Sequence, residues 1–179
     1  ESYGFLIGDF VRDKDANSAC FIIAEIAAWA AEQNKSLYQI LKEIYKEFGF
    51  YKEGLISLTK KGISGTEEIK NMMHKFRNEP PTHILGSKIV VIKDYKIGIS
   101  KNIITGDESK IDLPKSDVLQ FFTEDGTKIS VRPSGTEPKL KFYVAVKGIE
   151  EAEANEKLNS IKNEIDKTVN SLIYVSDSI

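Results

Sequence analysis

The chain has little cysteine, histidine or tryptophan: of its 179 residues, one is Cys, two are His and one is Trp. A lone cysteine, Cys20, excludes an internal disulfide framework and suits a reducing cytosol. His74 and His83 have no Cys or carboxylate at zinc-ligand spacing. Long apolar runs are also missing. Even Ala19–Ala31, apolar apart from Glu25, falls short of the ~20 residues that a membrane span requires. There is no excess of either charge, since 25 Lys+Arg against 27 Asp+Glu give a formal −2. That balance argues against nucleic acid as the main partner, because counterion release needs a concentration of Lys and Arg. No Arg/Lys/aromatic face stands out either. An initiating Met is absent: the chain opens Glu1-Ser2-Tyr3-Gly4, with no signal peptide, and reads as if cut from something longer.

What is present is ordinary for a soluble globular protein, with 41% hydrophobic and 29% charged residues. Glu1–Asp15 reads as an irregular loop, with Asp15 or Asn17 capping a helix whose apolar stretch predicts burial on most sides. Cys20 then reads as an inert buried thiol, and Trp29, Met72 and Met73 as packing residues. Ser36 starts a second helix, with Leu37, Ile40, Leu41, Ile44, Tyr45 and Phe48 at helical spacing and Gly49 ending it. Leu55–Thr59 reads as a strand. A helix carrying Ile69, Met72, Met73 and Phe76 on one face follows, with His74 on its surface. Asn78–Gly86, with Pro80-Pro81 and His83, reads as a rigid connector, and Lys88–Lys93 as a strand. Tyr95–Asp117 is polar and reads as an irregular surface excursion. Val118–Phe122 and Lys128–Arg132 flank Asp125-Gly126, a hairpin signal. Leu140–Val146 alternates as a strand. From about Glu150, Leu158, Ile161, Ile165, Val169 and Leu172 mark one face of a long helix. The order predicts an α+β domain, with helices on one face of a largely antiparallel sheet.

One segment carries chemistry: Arg132-Pro133-Ser134-Gly135-Thr136-Glu137-Pro138-Lys139. It joins two predicted strands and is longer and more polar than a hairpin needs. Arg132 offers a planar fork for two phosphate oxygens. Ser134 and Thr136 offer hydroxyl donors. Gly135 lets the backbone approach closely and can turn N–H groups inward as an anion nest. Lys139 adds a point charge, and the prolines stiffen both ends. The chain supplies a control, because Ser64-Gly65-Thr66-Glu67 repeats the tetrapeptide. That copy lacks the flanking Arg, Lys and prolines, and it reads as the cap preceding a helix.

The octapeptide resembles the phosphate-binding loop in the C-terminal domain of the α-D-phosphohexomutases, the phosphoglucomutase/phosphomannomutase family. Glu1-Ser2-Tyr3-Gly4-Phe5, followed by Asp9-Phe10-Val11-Arg12-Asp13-Lys14-Asp15, is similar to the sugar-recognition loop of that family's third domain and the segment after it. The resemblance covers essentially the whole chain and is closest to bacterial members. It implies an isomerase of carbohydrate metabolism, an intramolecular phosphotransferase working in the cytoplasm. Such an enzyme moves a phosphoryl group between hexose positions 1 and 6 through a phosphoserine and a bisphosphorylated sugar. It also implies Mg²⁺ in the parent enzyme and a glucose 1,6-bisphosphate-type activator.

Neither the Ser-His-Asn-Pro phosphoserine motif nor the Asp-x-Asp-x-Asp-Arg metal loop occurs in this chain. The resemblance therefore implies the tail of domain three over 1–48 and domain four, with a TATA-binding-protein-like sheet, over 49–179. By the same resemblance, Arg132, Ser134, Gly135, Thr136 and Lys139 hold the non-reacting phosphate, Lys14 lies near the reacting one, and Ser2 contacts sugar hydroxyls. Glu1 is the middle residue of the family's Glu-x-Ser pattern. Gly4 stands where some members have a His. The implied partners are a hexose phosphate and the remaining domains of the same polypeptide, with no nucleic acid and no membrane, and the fragment itself is expected to be inactive. A stand-alone, non-catalytic module binding a phosphorylated ligand or a protein is the competing expectation. Asp13-x-Asp15-x-Asn17 begins like a calcium loop but has Ser18 at the glycine position and Ala24 at the bidentate one, so no metal is expected there.

Overall fold

The strands at Leu119–Thr123, Lys128–Pro133 and Lys139–Gly148 alternate buried with less buried residues, and that local pattern organises the fold. The computed structural model describes residues 4–10, 12–60 and 62–174, with side chains left aside at 62, 63 and 170–174. The chain divides into two compact units, Glu1–Gly49 and Phe50–Ile179.

The first unit holds α1 (Ala16–Glu32) and α2 (Leu37–Phe48). Asp15 caps α1, its carboxylate accepting from the N–H groups of Asn17 and Ser18 at 3.1 and 3.0 Å. Those bonds, the one from Ser18 foremost, hold its pKa below the ordinary value. Ser36 and Gln39 form a capping box at the start of α2. Helix α1 departs from its expected burial. Only Ala19 and Ala30 are buried, while Phe21 is 70% and Trp29 51% exposed, and Cys20 is exposed too. A helix with so many apolar residues needs cover on several sides, and within its unit α2 supplies one. The expectations for Cys20 and Trp29 are corrected accordingly.

The second unit contains β1 (Phe50–Thr59), α3 (Gly62–Asn78), β2 (His83–Ile84), β3 (Ser87–Asp94), β4 (Ile99–Asn102), β5 (Glu108–Lys110), β6 (Leu119–Thr123), β7 (Lys128–Pro133), β8 (Lys139–Gly148) and α4 (Glu151–Tyr174). The sheet runs β1-β8-β7-β6-β3-β4-β5, with β2 attached to β3 and every pairing antiparallel. Strands β4 and β5 correct the expected irregular excursion. Both are short and polar, so neither shows an apolar alternation, but they continue the ladder from β3. His83 likewise belongs to a short strand rather than to a connector.

Leu140, Phe142, Val144 and Val146 of β8 are at most 2% exposed, and with Ile129, Val131, Leu119 and Phe121 they form the core face. Burying side chains of this size contributes about 1.5–3 kcal/mol each. Helix α3 covers the face with Ile69, Met72 and Met73, and α4 with Leu158, Ile161 and Val169. Phe76 meets Phe142 edge-on at 5.8 Å between centroids. Gly54 shows how closely α4 lies under β1, since a Cβ there would stand 2.5 Å from Lys162 Cε and 3.0 Å from Leu158 Cδ1. The fold is α+β, with helices on one face of an antiparallel sheet.

Two polar locks fix the ends of strands. Arg77, at the end of α3, donates to Asp94 at 2.8 Å and to Asp117 at 2.7 Å, and the Asp94 side chain is only 8% exposed. At the β6–β7 turn, Gly126 takes φ 81°, and Asp125 accepts from Thr123, from the Thr127 N–H and from Lys157 of α4 at 2.8 Å. Burial alone would push the Asp125 carboxyl upward. The bonds from Lys157, Thr123 and Thr127 outweigh it and hold the pKa well below the usual carboxylate range.

Candidate phosphate-binding loop

Strand β7 ends at Pro133 and β8 begins at Lys139, so the octapeptide forms a closed loop between paired strands. Ser134 N–H donates to the Lys139 carbonyl at 2.8 Å, closing the base, and Lys139 N–H donates to the Glu137 carbonyl at 2.7 Å. From outside the loop, the Lys60 N–H at the end of β1 donates to the Pro138 carbonyl at 2.9 Å. Lys60 is a supporting residue that the sequence alone did not single out, because its contribution is a backbone bond across the sheet.

The loop gathers Arg132, Ser134, Gly135, Thr136 and Lys139. Arg132 is exposed and stands opposite Lys141 in the ladder. Among the described residues, no ion pair engages the Arg132 guanidinium, and the N–H groups of Gly135, Thr136 and Glu137 donate to nothing. The Ser134 and Thr136 hydroxyls are likewise unengaged among the described residues. Lys139 differs, because its Nζ pairs with Glu137 at 2.9 Å. That pair is 29% and 56% exposed, so it is worth little and an incoming dianion can compete for the lysine.

Gly135 corrects one expectation and strengthens another. Its φ is not left-handed, so the loop is not an αR–αL nest at that position. Yet a Cβ built there would meet nothing within 4 Å, so neither conformation nor packing requires glycine. The effect of the glycine is a bare backbone open to solvent. The repeat at Ser64–Glu67 behaves oppositely. It lies inside α3 rather than preceding it as expected, because the helix already starts at Gly62. A Cβ on Gly65 would stand 2.8 Å from Lys60 Cβ and 2.9 Å from the Lys60 backbone carbon. Packing alone accounts for that glycine.

The other candidates fall elsewhere. Lys14 sits in the Glu1–Gly49 unit, exposed, with Nζ 2.6 Å from Asp13. That hydrogen bond and its charge raise the pKa of Lys14. Ser2 and Glu1 lie outside the described residues. Among the described residues, no group of three or more His, Cys, Asp or Glu side chains is placed to hold a metal ion, so the residues present do not fit Mg²⁺. No described helix is long and apolar enough to cross a membrane.

Residues 90–167 match the family model described as phosphoglucomutase/phosphomannomutase, C-terminal domain. The matched stretch contains the entire loop. The chain is also 38% identical to a phosphoglucomutase of Staphylococcus aureus over 161 residues, 90% of this chain and 29% of that protein. The chain is similar to the C-terminal part of the phosphohexomutases. A phosphoglucomutase of Staphylococcus epidermidis is 38% identical over 146 residues, 82% of this chain and 27% of that one. The chain thus spans under a third of the length of these curated relatives. Its fold is also similar to that of parafusin, an exocytosis-sensitive phosphoprotein and phosphoglucomutase from Paramecium, in a crystal structure of the open form. The TM-score is 0.54 at 17% identity, over 91% of this chain and 28% of that one.

Proposed function

We propose that the Arg132–Lys139 loop grips the non-reacting phosphate of a hexose phosphate within a phosphohexomutase that interconverts hexose 1-phosphate and hexose 6-phosphate. The observation that carries this reading is the loop's donor set, uncommitted among the described residues: the Arg132 guanidinium, three successive N–H groups and two hydroxyls, around a glycine that neither its φ nor its described neighbours require. Arg132 offers two parallel N–H donors to two phosphate oxygens. The Gly135, Thr136 and Glu137 N–H groups and the two hydroxyls offer donors to the rest, and Lys139 exchanges Glu137 for phosphate.

Phosphoryl transfer depends mainly on positioning and charge stabilisation. A remote grip of this composition recognises the phosphate and tolerates either orientation of the sugar. That is what an isomerisation through a bisphosphorylated intermediate, itself an activator, demands. In this reading, 1–48 is the tail of the sugar-reading third domain, with Ser2 and Glu1 towards the sugar and Lys14 towards the reacting phosphate. Residues 49–179 form the phosphate-binding fourth domain. The phosphoserine and Mg²⁺, which supply the transfer chemistry, reside in other domains of a cytoplasmic parent enzyme. The isolated chain therefore binds and does not turn over.

Adding glucose 1-phosphate to the labelled chain tests this. Amide shifts concentrated at 132–139 are expected at millimolar ligand, and they should be lost in Arg132→Met. An unmoved loop at those concentrations removes the assignment.

A further inference from the structure

The open face of the sheet carries a charge distribution that the composition hides. Register places Lys93, Lys128, Arg132, Lys139, Lys141 and Lys147 on the side away from α3 and α4. Glu53 is the one carboxylate on that side among the described residues of β1, β8, β7, β6 and β3. This Lys/Arg face, interleaved with Tyr51, Phe122 and Tyr143, corrects the expectation that the chain has none.

Three cations elsewhere in the unit pair with acids, Lys52 with Glu151 at 2.9 Å, Lys60 with Glu68 at 2.7 Å and Lys157 with Asp125 at 2.8 Å, as Lys139 of the open face does with Glu137 at 2.9 Å. On the open face, Lys93 instead rests over the Phe122 ring at 5.2 Å and Lys147 over Tyr51 at 5.3 Å. A cation–π contact leaves the ammonium charge un-neutralised, unlike an ion pair. The neutral polar groups there bond to one another, Tyr95 Oη to Gln120 at 3.0 Å and Gln120 Nε2 to Ser130 at 3.0 Å. Positive charge is therefore the chemistry this face presents, and Arg132 and Lys139 belong to both the face and the loop.

We infer that the open face is an electrostatic collecting surface, which draws phosphorylated sugars towards the Arg132–Lys139 loop. This rests on the phosphate reading of that loop. Along β7, Lys128 lies about 13 Å from Arg132, at roughly 3.3 Å per residue. Lys93 is two strands from Ser130, about 10 Å away. The Debye length is about 30 Å at 0.01 M salt and about 8 Å at 0.15 M. These lysines therefore act on an anion at the loop in dilute salt and barely at all in concentrated salt. Low-dielectric walls lined by one sign of charge raise the local concentration of the opposite sign.

The test titrates glucose 1,6-bisphosphate into the full 179-residue chain and into Lys93→Gln/Lys128→Gln/Lys147→Gln, reading amide shifts at 132–139. At 0.01 M salt the triple variant should bind about fivefold more weakly, from three screened Coulomb contributions. At 0.3 M the two affinities should converge, with the same loop amides moving in both. Single Lys128→Gln should show a smaller effect of the same form, which guards against a misfolded triple variant. Equal affinities at 0.01 M, with the loop shifts intact, overturn the collecting surface and leave the loop reading standing. Absence of loop shifts in the unmodified chain overturns both. Tighter binding of a ten-residue oligothymidylate than of the bisphosphate at equal salt assigns the face to a polymer and also overturns the proposal.

Discussion

The chain contains the same tetrapeptide twice, and replacing the glycine of each copy with alanine separates packing from ligand binding. At Gly65, a Cβ falls 2.8 and 2.9 Å from the Lys60 Cβ and backbone carbon, closer than real Cβ contacts allow. Because one of those atoms is backbone, relief requires moving β1's exit or the first turns of α3. Overpacking of this kind costs about 1–3 kcal/mol. Alanine's better helix preference returns about 1 kcal/mol of that. Gly65→Ala should therefore lower stability by roughly 1 kcal/mol.

At Gly135, by contrast, the new methyl meets nothing within 4 Å and the backbone is not left-handed. There the substitution should leave stability unchanged or raise it by about 0.4–1 kcal/mol, through the less flexible unfolded chain. Its effect should appear in ligand affinity, because the methyl covers the backbone that a phosphate oxygen must approach. Losing one charge-assisted bond costs about 1.5–3 kcal/mol, which is on the order of tenfold or more in dissociation constant. Urea unfolding of both variants, paired with a glucose 1-phosphate titration, measures the four quantities. Unchanged affinity in a stable Gly135→Ala protein would refute the use of the bare backbone. Unchanged stability in Gly65→Ala would refute the close approach to Lys60.

Further substitutions probe the scaffold. Asp125 is ionised more readily in the fold than in the unfolded chain, so its contribution is fully present above the ordinary carboxylate pKa near 4 and is lost as pH falls through its depressed folded value. Asp125→Asn should therefore be less stable than the unmodified chain at pH 7, with the gap closing in acid. A gap that stays constant down to pH 2 contradicts the Lys157–Asp125 lock. Arg77→Leu leaves Asp94 buried without its cation and should cost about 3 kcal/mol in urea unfolding; a loss under about 1 kcal/mol would show that water replaces the arginine. Leu85 holds φ 49° beside Gly86 at φ 78° in the two-residue β2–β3 turn, a geometry that favours Asn-Gly. Leu85→Asn should raise the melting temperature by relieving about 1 kcal/mol of left-handed strain, since the bond from its N–H to Glu164 at 2.7 Å is kept. A lowered melting temperature would mean that the leucine side chain contributes more than its 45% exposure suggests.

What could be read from sequence was whatever is local. The alternation of Leu140–Val146, the Asp125-Gly126 turn, the Ser36 cap and the helical spacing of α4 each depend on residues a few positions apart, and all appear in the structure. The octapeptide was legible for the same reason, since its donors are contiguous. Its duplicate misled on position, because a four-residue string does not record whether Lys60 packs against its glycine. Burial of α1 and Cys20 was misjudged because apolarity states what a helix needs and not what stands beside it. Strands β4 and β5 were missed because polar edge strands gain order from the ladder they join, not from an apolar stripe of their own.

The charge balance was the most misleading global number. A formal −2 is compatible with a strongly basic face, provided the fold sorts its acids to the helix side, and only register on separate strands brings Lys93, Lys128 and Lys147 together. Net charge therefore bounds the average field of the chain but not the field at its loop. A binding argument for such a sheet has to be made face by face.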